Sequence, residues 1–107
     1  MNGYYYYLTK QSMLFSEETN DKFNYYIGLP GFTKEDLDIK MLVEEKFLTI
    51  LVVTKKSNTF VQENEEYRIV KVLEKVKANE KEISVDVTNG VLTISLPKSN
   101  PIKEFKL

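Results

Sequence analysis

From Phe23 onward apolar residues recur at every second position and β-branched and aromatic types dominate, which is the pattern of strands with one face on a core. Phe23, Tyr25, Ile27 and Leu29 share one face of a first strand, which Pro30-Gly31 ends. In "TKEDLDIKML", Leu37, Ile39 and Met41 fall on one side and Asp36, Asp38 and Lys40 on the other; Thr33 with Asp36 is placed to cap a single helical turn before that strand. "KFLTILVV" is apolar on both faces, as suits a strand enclosed in a fold or lying in an interface. "YRIVKVLE" is a fourth strand. The last two run through Ile83, Val85 and Val87, then Leu92, Ile94 and Leu96. Asn89-Gly90 between them is the residue pair that a two-residue type I′ hairpin requires, since both positions need positive φ.

Six strands with short, mostly antiparallel connections, and no helix long enough to cover a sheet, bury their apolar faces by packing sheet on sheet. The expected fold is an all-β, immunoglobulin-like β-sandwich. Residues 54–65 read as a polar loop with Phe60-Val61 as its one apolar point, and "KVKANEKE" as a charged connection. Residues 1–22 have no clean period. They form an N-terminal arm, and the run Tyr4, Tyr5, Tyr6, Tyr7 with the cluster Met13, Leu14, Phe15 marks it as a contact surface for other proteins. A short helix through Thr9 to Phe15 is an alternative for part of it. The domain proper spans 23–98 and a tail spans 99–107.

Composition narrows function by exclusion. The chain of 107 residues has no Cys and no His, which removes disulfides, Cys/His zinc sites, thiol nucleophiles and every imidazole-dependent triad. No calcium loop, Walker loop or dinucleotide fingerprint is present, so neither metal nor cofactor is expected. The 15 basic and 16 acidic residues are interleaved, leaving no basic stripe for nucleic acid. The apolar run Phe47 to Val53 is far short of the roughly 20 residues that span a bilayer, and no signal-peptide pattern opens the chain, so a cytoplasmic location is expected. Asp36, Asp38, Glu44 and Glu45 fit solvated strand faces better than an acid and base pair, and the protein is read as a non-enzyme.

Two motifs carry a family resemblance. "LPGFTKEDLDIK" after a strand, and "NGVLTISLPK" closing the domain some fifty residues later, resemble the α-crystallin domain of small heat shock proteins. The resemblance implies an ATP-independent holdase that binds exposed apolar surface on unfolding client proteins, as a homo-oligomer built from dimers. By the same resemblance Arg68, with Tyr67, Ile69 and Val70, lies at a dimer interface, although the usual proline is absent after Val72-Leu73. The 54–66 segment is too short for an exchanged arm, so edge pairing through Tyr67 to Leu73 is expected, with Phe60-Val61 available for a brief edge contact.

The family's C-terminal tail carries an isoleucine-x-isoleucine pair that docks in a neighbour's groove. Here Ile102 is followed two places on by Glu104, and Phe105 with Leu107 supplies a degenerate pair. The groove is then lined by Ile39, Met41, Ile83 and Val85, positions that the sequence alone assigns equally well to the core. Two other readings share the sandwich: a p23-like co-chaperone adaptor, which would be monomeric and lack the closing signature, and a structural protein of a larger particle.

Overall fold

The computed structural model describes residues 14–100. Two antiparallel sheets face each other. One has the order β1-β2-β7-β6, built from Leu14–Glu18, Lys22–Gly28, Val91–Pro97 and Ser84–Thr88. The other has the order β3-β4-β5, built from Leu37–Glu44, Phe47–Thr54 and Glu66–Val72. The expected sandwich is present, and all six strands read from the pattern are in it as β2 to β7.

Alternation explains the core. Phe23 and Ile27 of β2 and Leu92, Ile94 and Leu96 of β7 point inward from one sheet; Leu48, Ile50 and Val52 of β4 and Tyr67 and Ile69 of β5 meet them from the other. Every second residue of β4 is fully enclosed, ending with Thr54. A polar residue is tolerated there because its hydroxyl is fully used: Oγ1 donates to the Gln62 carbonyl at 2.6 Å and accepts from the Glu65 amide at 2.8 Å.

The seventh strand was not legible as one. Leu14–Glu18 lies where the sequence reading has an arm or a short helix, and it pairs along β2 from Leu14↔Ile27 to Glu18↔Phe23. All five residues are exposed, so no core imposes a period on them. Backbone pairing holds the strand, helped by the Phe15 and Tyr26 rings 6.0 Å apart and by Asn24 and Tyr26 donating to Glu17. Tyr4 to Tyr7 and Met13 lie outside the described residues, as does the rest of the proposed helix.

The connections are where the two motifs meet. Lys34–Asp36 forms the single helical turn expected, a 3-10 turn, with the Asp36 carboxylate accepting from the Thr33 amide at 2.9 Å. Asn89 and Gly90 have φ of 52° and 74°, the type I′ geometry. This hairpin presses on the Leu29-Pro30-Gly31 turn: the Leu29 amide donates to the Gly90 carbonyl at 2.7 Å. A Cβ on Gly90 would stand 3.2 Å from the Pro30 Cα and 3.3 Å from the Leu29 oxygen, both backbone atoms that cannot swing away.

The loop from 55 to 65 is folded onto the body instead of reaching away from it. Asn58 donates to the Pro30 carbonyl at 2.6 Å and accepts from the amides of Phe60 and Val61. Lys56 bonds Asp36 at 3.1 Å and the Gly31 carbonyl at 3.0 Å, with its ammonium over the Phe32 ring. Val61 is thereby buried in the protein's own core, so of the expected Phe60-Val61 edge contact only Phe60 remains exposed. Val76, read as part of a charged connection, is also a core residue, bridged to Lys98.

Replacing Gly90 by Ala combines an unfavourable positive φ with a collision against fixed backbone. The expected result is a loss of about 1–3 kcal/mol in chemical denaturation. Asn89→Ala, which adds no collision, should cost less.

Candidate functional site

Four edge strands, two of them forming a common rim, and one sheet face offer contact surface. Both β3 and β6 are edge strands of opposite sheets, and the turn that precedes β3 reaches β6, since Lys34 donates to the Val85 carbonyl at 3.2 Å. Along them Ile39, Met41, Ile83 and Val85 are half-buried and pack against the core cluster from its rim. The structure thus brings these four to the margin of the sandwich, where one side of each rests on the core and the other is open. Ile102, Phe105 and Leu107 lie outside the described residues.

The second edge is β5. Its alternation splits the residues assigned to a dimer interface: Tyr67 and Ile69 point into the core, whereas Arg68 and Val70 point out. Arg68 bonds Glu66 on the same face at 3.3 Å. Side-chain contact with another molecule is therefore open to Arg68 and Val70, and Tyr67 and Ile69 offer only their backbone.

The outer face of this sheet carries a patch that the sequence signalled without locating. In register across three strands, Leu42 lies opposite Thr49 and Thr49 opposite Val70; Phe47 lies opposite Val72. Phe47 is 48% exposed and Val70 52%. "KFLTILVV" is apolar on both faces because one face makes the core and the other makes this patch. The third edge, β1, displays Leu14 and Phe15.

At one end of the sandwich an open cavity of about 620 Å³ is lined by Glu18, Phe23, Lys71, Glu74, Lys75 and Lys98, among others. The Lys98 side chain is only 7% exposed, and its ammonium is held by Glu18 at 2.9 Å and lies 5.0 Å from the centre of the Phe23 ring. Lys71 reaches the same ring at 4.2 Å. The hydrogen bond and charge of Lys98 hold the Glu18 carboxyl below its ordinary value, with Lys71 and Lys75 adding to the effect. Asp36 is likewise held low, first by the Thr33 amide and then by Lys56. Neither the burial of Lys98 nor this cluster is legible in the sequence, because a lysine just after a strand reads as solvated.

The sequence profile of the Hsp20/alpha crystallin family matches residues 15–106. The chain belongs to the Hsp20/alpha crystallin family. Solved structures share the fold of this Hsp20 chain. Heat shock protein 16.0 from Schizosaccharomyces pombe is 22% identical, with 88% of this chain and 92% of that one covered and a TM-score of 0.53. A small heat-shock protein from Xylella fastidiosa is 19% identical over 88% and 91%, TM-score 0.55. The Del-C4 mutant of hsp14.1 from Sulfolobus solfatataricus P2 is 18% identical over 83% and 76%, TM-score 0.56. Comparison with curated proteins returns no match.

Two measurements check the surfaces. Glu18 has a lowered folded pKa, so the stability it contributes is present above its ordinary value of 4.5 and is lost as pH falls through the folded value. Glu18→Gln should therefore be less stable than the parent at neutral pH, with the gap closing in acid; a gap independent of pH would contradict this. Phe47→Ser combined with Val70→Ser should change stability by no more than about 0.5 kcal/mol each and lower the fluorescence of a bound apolar dye.

Proposed function

We infer that this Hsp20-family protein is an ATP-independent holdase: it binds apolar surface on unfolding proteins and slows their aggregation. The observation that supports this most is the amount of apolar surface a complete sandwich leaves outside its core, on the outer face of β3-β4-β5, on the rim formed by β3 and β6, and on β1. Such contacts make no directional demands and scale with area at roughly 25 cal/mol per Å², so a broad range of clients is expected. No nucleotide or metal enters the mechanism. Release follows from the balance between weak apolar contacts and refolding, and the site of action is the cytoplasm.

The working form is a homo-oligomer built from dimers. Because the 55–65 loop is bonded to Pro30, Gly31 and Asp36 of its own chain, the dimer forms by pairing the outer edge of β5 with that of a second copy. A two-fold centred on Tyr67 sets Arg68 of each copy opposite Glu66 of the other, exchanging the present Arg68 to Glu66 contact for one between chains. The tail residues Ile102, Phe105 and Leu107 join dimers by adding an extended strand along the β3 and β6 rim of a neighbour, over Ile39, Met41, Ile83 and Val85. The Xylella fastidiosa relative, whose crystal structure "reveals a distinct high order structure", is consistent with a protein that assembles beyond the dimer.

The test pairs light scattering with suppression of heat-induced turbidity of a thermolabile enzyme. A mass above that of a dimer together with reduced turbidity is expected. A monomer that leaves the enzyme to aggregate would refute the reading. Arg68→Glu, which leaves only carboxylates on that stretch of β5, should weaken the dimer about tenfold or more in sedimentation.

A further inference from the structure

The contact between Lys34 and Val85 has a role that follows from strand parity. In a two-residue type I′ hairpin the residues flanking the turn form a hydrogen-bonded pair, here Thr88 and Val91. Alternation then gives Asp86↔Thr93 and Ser84↔Ser95 as bonded pairs, so Val85 and Val87 turn their amides and carbonyls away from β7, toward the open edge. An extended chain that adds to β6 must donate to those carbonyls. One already accepts a bond there: the Lys34 ammonium donates to the Val85 oxygen, across 51 positions of sequence, and its side chain stands at the edge where a strand would lie.

We propose that Lys34 is a guard on the β6 edge, which an incoming strand must displace before it can pair there. The proposal rests on the tail-docking reading above, and the occupant it concerns is the Ile102 to Leu107 segment of a second copy. Lys34 is free to play this part. Of the two carboxylates in its helical turn, Glu35 and Asp36, the second is engaged by Thr33 and Lys56, and none of the ion pairs among the described residues involves Lys34. The turn that carries it is anchored at both ends, by the Asp36 amide to Thr33 and the Lys55 amide to Asp36, so the side chain is presented from a fixed base. Lysine is suited to this role because its long stem reaches the edge while its charge resists burial under a second strand. The Ile83 amide, next in the outward-facing row, is also occupied, by the Asn79 carbonyl. Docking is therefore centred on the stretch from Val85 to Val87 and requires Lys34 to leave.

The experiment uses the full-length chain with its own tail silenced by Ile102→Gly, Phe105→Gly and Leu107→Gly, so that native tails do not compete. A peptide of sequence PIKEFKL, labelled on its amino terminus, is titrated and followed by fluorescence anisotropy. Its two lysines balance one glutamate and the terminal carboxylate, which removes long-range charge from the comparison. Lys34→Met, which keeps the stem and removes the donor, should bind the peptide about 2- to 10-fold more tightly, the range set by one hydrogen bond exchanged with water. Lys34→Arg retains a donor and should stay within about twofold of the parent. Equal or weaker binding to the Lys34→Met protein overturns the guard while leaving tail docking intact. Absence of binding to both proteins refutes tail docking itself, and the guard with it.

Discussion

The fold depends on the meeting of two turns. The Pro30-Gly31 turn carries the chain out of one sheet toward the other, the Asn89-Gly90 turn joins β6 to β7, and the bond from the Leu29 amide to the Gly90 carbonyl locks them at a distance where a single methyl group on Gly90 would intrude. Asn58 then closes the third side by bonding Pro30. Three segments far apart in sequence are thus held together at one corner by hydrogen bonds to backbone carbonyls. The positions of the 3-10 turn, the loop and the hairpin are fixed there, and with them the relative placement of β3 and β6 that creates the open rim.

Much of this was legible in advance. Period-two alternation located β2 to β7 and placed Phe23, Ile27, Leu37, Leu92, Ile94 and Leu96 on the core side, because each of those strands has one face against the other sheet and the pattern is a direct imprint of that burial. The helical turn at Lys34–Asp36 and the type I′ hairpin were legible for a different reason, since their residues solve local backbone problems that need no tertiary partner. Strand β1 was not, because Leu14–Glu18 buries nothing and its pairing depends on a β2 edge that sequence does not display.

Side chains at the sites followed the same division. The exposure of Arg68 and Val70 beside buried Tyr67 and Ile69 is simple alternation, yet which face is inward becomes known only when the second sheet is present. Val61 and Lys98 show the limit more sharply. One is a lone apolar residue in a polar loop, held by nearby Asn58, which is itself tied to Pro30 28 positions away; the other is a lysine after a strand-ending proline, held by Glu18 80 positions away. No local pattern encodes such contacts.

The stitching around Lys98 bears on how load would pass through an assembly. Where the chain leaves β7, the Lys98 amide is bonded to Asp21, the Ser99 amide to Lys75, the Lys77 amide to Pro97, and the Lys98 ammonium to Glu18. Tension on the segment beyond residue 99 is consequently shared at its root between the β1-β2 corner of one sheet and the turn that follows β5 in the other. The two sheets therefore answer a pull at this root together, as one piece.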